Sequence, residues 1–229
     1  MDDTNTLLDS IELETGPSPT WAVIWLHGLG ADGNDFAPLV PELVRKGWPA
    51  IRFVFPHAPV RPVTINNGVP MRAWYDIVGM DFPTRADDKG VAESIVQATA
   101  LIDREQARGI PAARILLAGF SQGGAIALAA GVRRDVALGG LIALSTYLPG
   151  AEAAQPGKTA AATAQPVFMA HGSSDAVIPL VHAQRSQELL QALGFQVDWH
   201  RYPMAHQVCA EEIADLGDWM QRRFEAAQG

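Results

Sequence analysis

Ser121, Asp175 and His206 are the residues whose types and order along the chain suit covalent chemistry. A serine hydroxyl is a weak nucleophile at neutral pH, and it becomes effective when an imidazole takes its proton and a carboxylate fixes that imidazole's tautomer. Ser121 is the centre of Gly119-Phe-Ser-Gln-Gly123, a G-x-S-x-G pentapeptide that carries meaning only between a strand and a helix. Both flanks are present. Ile115-Leu-Leu-Ala118 is a continuous apolar run suited to a strand buried on both faces, and Ala125-Ile-Ala-Leu-Ala-Ala130 is helix-forming. A helix starting there directs unpaired N–H groups and a positive dipole end toward any negative charge that develops beside the serine.

A serine on a strand-to-helix turn is followed along the chain first by its acid and then by its histidine. Pro166-Val-Phe-Met-Ala-His171 reads as a strand, and Gly172-Ser-Ser-Asp175 is the turn leaving it, which assigns the acid to Asp175. The next strand, Phe195 to Arg201, runs into Tyr202-Pro-Met-Ala-His206, and a helical pattern of Ile213, Leu216, Trp219 and Met220 follows, which assigns the base to His206. His27, His57 and His171 also lie just past strands, where they could line a cleft, but none follows the acid. His200 and Asp198 lie inside a strand, Asp198 being a minor alternative acid. Cys209 reads as a small buried side chain at a helix start. The histidines lack ligand spacing such as H-x-x-x-H, so no metal site is expected.

The oxyanion of an acyl-transfer reaction needs two N–H donors, one of which comes from the residue after the nucleophile, here Gln122. The second is expected in an early strand-to-helix loop. Trp21-Ala-Val-Ile-Trp-Leu26 is an apolar strand that empties into His27-Gly-Leu-Gly-Ala-Asp-Gly33. That loop formally matches the dinucleotide fingerprint G-x-G-x-x-G, yet the fingerprint also requires an acidic residue at the end of the next strand. The next strand is Ile51 to Phe55, and Pro56-His57 stands at its end. The loop is therefore read as the second donor site, with the Leu29 N–H as the donor.

The elements that must position these groups alternate β then α almost from end to end, which predicts an α/β fold: a mostly parallel sheet with helices on both faces, in one domain over 1–229. Helices are expected over Asp35–Lys46, closed by Gly47, and from Asp87, with Val91, Ile95, Ala98 and Ile102 on one face and Gly109 at the end. The latter is read as a covering helix without chemistry. Pro56 to Pro70 is a long connection with a hairpin signal at Asn66-Asn-Gly68, suited to a lid or binding loop. Trp74 and Tyr75 follow it, either as pocket walls or as aromatics packed in a small strand. Pro149 to Pro166 reads as a solvent loop.

Across 229 residues, 48% hydrophobic content supports a sizeable core. A net charge of −8 without a basic run argues against a nucleic-acid or anionic-membrane partner. One cysteine, Cys209, excludes an internal disulfide. The N-terminal stretch lacks a signal-like pattern and no apolar run reaches membrane-spanning length, so no stable membrane insertion and a cytoplasmic address are expected.

Five motifs in order extend the pattern: His27-Gly-Leu-Gly-Ala-Asp-Gly33, Met71-Arg-Ala-Trp-Tyr-Asp-Ile77, Gly119-Phe-Ser-Gln-Gly-Gly124, His171-Gly-Ser-Ser-Asp-Ala-Val-Ile-Pro179 and Tyr202-Pro-Met-Ala-His206. Together they resemble bacterial carboxylesterases related to acyl-protein thioesterases and lysophospholipases. The resemblance implies an α/β-hydrolase fold, hydrolysis of small-molecule esters or thioesters without a cofactor, and often a homodimer. It places the nucleophile, acid and base on Ser121, Asp175 and His206, with the Leu29 and Gln122 N–H groups as oxyanion donors. Two positions depart from the family pattern. Ala205 stands where glycine is usual, restricting the turn that carries His206, and Asn34 stands where histidine is usual, read as a helix cap. A serine carboxylesterase of short-to-medium acyl esters is the leading reading. A thioesterase or lysophospholipase is second, and a binding module that keeps the shell without turnover is the alternative from another class.

Overall fold

The structure is a computed structural model that describes residues 7–82, 84–150 and 160–227. The apolar runs become strands: β1 (Ser10–Glu14), β2 (Trp21–Leu26), β3 (Ile51–Pro56), the pair β4 (Val60–Val63) and β5 (Val69–Arg72), then β6 (Ile115–Phe120), β7 (Gly140–Leu144), β8 (Val167–Gly172) and β9 (Val197–Tyr202). Seven of them form one sheet in the order β1-β3-β2-β6-β7-β8-β9. Only β1 is antiparallel to its neighbour; the other pairs are parallel. Every residue of β2, β7 and β8 is buried, as the unbroken apolar runs predict for strands covered on both faces.

Successive side chains on these strands enter opposite cores. Val23, Trp25, Phe53, Leu116 and Phe168 pack on one face under α1 (Val40–Leu43) and α6 (Ala210–Ala226). Ala22, Ile24, Leu117, Ala143 and Met169 pack on the other under α2 (Asp88–Ala107), α3 (Gln122–Gly131) and α5 (Leu180–Ala192). The helix expected from Asp87 is α2, capped by the Asp87 carboxylate accepting from the Gly90 N–H at 3.0 Å and followed by Gly109 at φ +95°. Its inner end carries a carboxylate network that its periodicity concealed. Glu105, fully buried, accepts from Arg52 of β3 at 2.9 Å and from Arg104 and Arg108 at 3.1 and 3.0 Å, while Glu12 of β1 binds the last two at 2.8 and 3.0 Å.

Four expectations are corrected. The helix expected over Asp35–Lys46 is a 3-10 turn at Ala37–Leu39 and the single turn of α1, because Pro38 and Pro41 lack the N–H groups that a continuous helix requires and Val44 is already extended at ψ 132°. Asn34 caps neither turn; its N–H and side-chain amide both bind the Asp32 carboxylate, at 2.7 and 2.9 Å. The Pro56–Pro70 connection has its own packed element, the β4–β5 hairpin, reversed by Asn67 at φ 56° and Gly68 at φ 71°. In the Pro149–Pro166 stretch, the described end forms the short α4 (Ala160–Thr163), and residues 151–159 lie outside the described residues.

The chain winds outward from β2 to β3 and then returns to place β6 on β2's other side, with Leu26 beside Gly119. The loops leaving β2 and β6 therefore run in different directions from adjacent strand ends. Such a switch point opens a crevice at the carboxyl edge of a parallel sheet.

Candidate active site

Ser121 sits in that crevice at φ 54° and ψ −120°, a backbone conformation that a side-chain-bearing residue rarely adopts. Such a conformation costs on the order of 1–3 kcal/mol and persists only where its surroundings enforce it. They do so here: the Ser121 N–H donates to the Leu144 carbonyl at 2.9 Å, and the Ser121 carbonyl accepts from Thr146 Oγ1 at 2.6 Å and from the Ala125 N–H at 3.1 Å. The flanking glycines permit the close approach of β6, α3 and β2. A Cβ on Gly119 would stand 2.4 Å from the Gly123 carbonyl, and one on Gly123 would stand 2.2 Å from the Leu26 oxygen. Only the absence of a side chain fits.

His206 joins the serine to the acid. Its Nε2 is 2.8 Å from Ser121 Oγ and its Nδ1 is 2.7 Å from Asp175 Oδ2. The other oxygen of Asp175 accepts from the Val177 and Ile178 N–H groups, each at 2.8 Å. Burial alone would raise Asp175; the His206 hydrogen bond and these two N–H groups outweigh it and hold the carboxyl below the ordinary carboxylate range. An ionised Asp175 places the proton of neutral His206 on Nδ1 and leaves Nε2 as the acceptor for the serine hydroxyl. Ala205 adopts no positive φ, so the turn before His206 needs no glycine. His171 does not line the cleft. It is fully buried behind the acid, its Nε2 donating to the Ile178 carbonyl at 2.8 Å, and burial pushes its pKa down and keeps it neutral.

The loop after β2 faces this serine: a Cβ on Gly28 would lie 3.5 Å from Ser121 Cβ. Among the described residues neither the Leu29 nor the Gln122 N–H has an acceptor, and both residues line the cavity that holds Ser121 and His206. The loop is held by long-range bonds. Gln122 accepts from the Trp74 N–H at 2.8 Å and donates to the Tyr75 carbonyl at 2.7 Å; Trp74 Nε1 donates to the His27 carbonyl at 2.9 Å; His27 Nε2 accepts from the Ala58 N–H at 3.0 Å. His57 takes the Gly33 N–H at 3.1 Å. His27 and His57 thus brace the loop and do not line this cavity.

Residues 11–223 match the phospholipase/carboxylesterase family. The chain belongs to this family. Acyl-protein thioesterase 1 of Mycosarcoma maydis is 36% identical over 233 residues, spanning 94% of this chain and 96% of that relative. Among solved structures, Arabidopsis thaliana SOBER1 superposes with a TM-score of 0.83 at 30% identity over 89% of this chain and 98% of its own. Acyl-protein thioesterase 2 of Zea mays does so with a TM-score of 0.80 at 27% identity over 93% and 99%. As a family member the chain has the α/β-hydrolase fold and is a serine hydrolase.

Within that family fold, the cavity at Ser121 has a volume of about 290 Å³ and is walled by Tyr75, Ile77, Arg85, Tyr147 and Ile178. Of the two aromatics proposed as walls, Tyr75 lines it, while Trp74 is wholly buried and spends its indole on the donor loop. A wider cleft of about 850 Å³ lies between His57, Arg72, Lys89 and Val96, but no nucleophile there is paired with a base. Asp198 is engaged with His200 at 3.0 Å and Arg222 at 2.9 Å on β9, and Cys209 is half-buried at the start of α6; neither reaches the cavity. Arg85 and Tyr147 are cavity residues that sequence reasoning missed. The D-x-x-x-R-x-D run around Arg85 has no period or turn signal to mark it. No helix among the described residues is long and apolar enough to cross a membrane.

Proposed function

We propose that the protein is a serine carboxylesterase that hydrolyses esters of short-to-medium acyl chain through an acyl-enzyme intermediate. The observation that carries this reading is the unbroken hydrogen-bond chain from Asp175 through His206 to Ser121, beside two N–H groups with no acceptor of their own. In the acylation step Ser121 Oγ attacks the ester carbonyl carbon as His206 Nε2 takes the hydroxyl proton, and the carbonyl electron pair moves onto oxygen between the Leu29 and Gln122 N–H groups. Collapse expels the alcohol, which leaves with the proton from His206. Water, deprotonated by the same imidazole, then attacks the acyl-serine and releases the acid. Asp175 orients His206 throughout and offsets its transient positive charge.

The cavity volume of about 290 Å³ stands at the small end of ligand pockets and favours compact acyl groups. An acyl-protein thioesterase or a lysophospholipase is the second reading, the former favoured by relatives named acyl-protein thioesterase. One domain and a cytoplasmic setting are carried into the same proposal from the sequence pattern, and a homodimer from the family resemblance. The test is hydrolysis of 4-nitrophenyl esters from acetate to palmitate by the wild type and Ser121→Ala. Turnover should peak at short chains and fall by about 10⁵–10⁶ in the variant. A long-chain optimum would overturn the substrate class, and equal rates in both proteins would overturn the serine mechanism and leave a binding module.

A further inference from the structure

Arg85 is a buried arginine on the wall of the cavity that holds Ser121. It is 8% exposed and shares the cavity with Ser121 and His206, yet among the described residues its guanidinium has no hydrogen-bond or ion-pair partner. Its one contact of note is the face of Phe82, 4.3 Å from the ring centroid. Its Nε is out of solvent without an acceptor, which is costly, and stacking on a phenylalanine returns only part of that cost. The backbone that carries it is held in place: the Val78 N–H donates to the Arg85 carbonyl at 2.8 Å, and Ile77 and Ala86 form an antiparallel bridge beside it. By contrast, Arg52, Arg104 and Arg108 share the buried carboxylate of Glu105.

The neighbourhood has further donors to spare. Tyr75 and Tyr147 line the same wall with hydroxyls 3.4 Å apart, an arrangement that uses one phenolic proton and leaves the other for a ligand. Burial raises both phenols and keeps them protonated. The acidic groups nearby do not complete the site. Asp81 accepts from Thr84 at 3.3 Å, and Asp35 is an exposed cavity residue that burial and Asp32 raise; neither is within ion-pair distance of Arg85.

We propose that Arg85 determines specificity by receiving a carboxylate carried on the ester substrate, with the Tyr75–Tyr147 pair as auxiliary donor. The planar fork of a guanidinium matches a carboxylate bidentately. This deepens the esterase reading and rests on it. Because the cavity is small, the anion lies within a few bonds of the reacting carbonyl, on either the acyl or the alcohol part of the ester.

The test compares kcat/KM for charged and neutral partners of equal length. Mono-4-nitrophenyl adipate against 4-nitrophenyl hexanoate probes the acyl side, and butyryl glycolate against ethyl butyrate probes the alcohol side. In the arm that applies, the charged-to-neutral ratio should fall about 10- to 100-fold in Arg85→Gln, mainly through KM, and recover in part in Arg85→Lys. A ratio unchanged in both arms would overturn the proposal and leave Arg85 as a packing partner of Phe82. Should Arg85→Gln fail to fold, inhibition of the wild type decides: adipamate binding no more tightly than hexanamide, with butyryl glycolate no better than ethyl butyrate, overturns it equally. Loss of the esterase reading itself would look different, as hexanoate turnover that does not depend on Ser121.

Discussion

Glu212→Gln is expected to raise stability in alkaline solution and leave it unchanged in acid. Glu212 lies in the first turn of α6, six residues beyond His206, with no exposed surface and both carboxylate oxygens without a well-formed hydrogen bond. Burial pushes its pKa from 4.5 to about 8, the Cys209 N–H at the helix start offsetting this only in part. Between these two values the folded chain keeps a proton that the unfolded chain has lost, so stability falls as pH rises through the interval and the full cost is reached above pH 8. The interval from 4.5 to about 8, at about 1.4 kcal/mol per pH unit, corresponds to a cost on the order of 5 kcal/mol. Glutamine keeps the shape and cannot ionise. Urea unfolding of wild type and variant should therefore coincide near pH 4.5 and diverge steadily to about pH 8, with the variant the more stable. Every other titrating group is common to both proteins and cancels in the difference. Stability curves that stay parallel from pH 5 to 9 would refute the reasoning, because they would show that Glu212 is ionised in the fold at no cost.

Two further substitutions test the frame around the site. Trp74→Phe removes the indole N–H from the His27 carbonyl, which should cost about 1–3 kcal/mol in unfolding assays. It should also lower kcat for 4-nitrophenyl butyrate at nearly constant KM, by less than the 10²–10³ that losing a whole oxyanion donor costs; an unchanged kcat would show that the indole does not hold the loop. Glu105→Ala strips Arg52, Arg104 and Arg108 of their buried carboxylate. Denaturant unfolding should then show a loss of about 3–5 kcal/mol while kcat/KM per folded molecule is retained, and a loss below 1 kcal/mol would contradict the network's role.

The parts of the fold that sequence patterning anticipates are those governed by local period and turn chemistry. Trp21–Leu26 and Ile115–Leu117 are apolar without a break because both faces of each strand are covered, and Asp87 with Gly109 marks the ends of α2 through capping and a left-handed backbone. The helix expected over Asp35–Lys46 fails for an equally local reason. Its apolar residues have helical spacing, but two prolines interrupt the backbone hydrogen bonds, and periodicity alone does not count donors. The Asn66–Gly68 signal did mark a reversal; what it lacked was the pairing of Val60 with Arg72 and Val63 with Val69, which is decided between strands.

The site divides along the same line. Ser121, Asp175 and His206 each follow a strand in a short turn, so their shared position at one sheet edge can be read from the chain once the sheet is known to be parallel. Trp74, by contrast, meets the site through bonds to residues 47 and 48 positions away, and nothing in Arg-Ala-Trp-Tyr distinguishes an indole facing a substrate from one facing a backbone carbonyl. His27, His57 and His171 pose the same ambiguity, and hydrogen-bond accounting resolves it: each ring spends a nitrogen on the backbone of a neighbouring loop. Applied to Arg85, that accounting gives the opposite result. Its donors remain unspent in a cavity that also holds an aligned serine and histidine, and a buried cation so placed is completed most economically by the substrate.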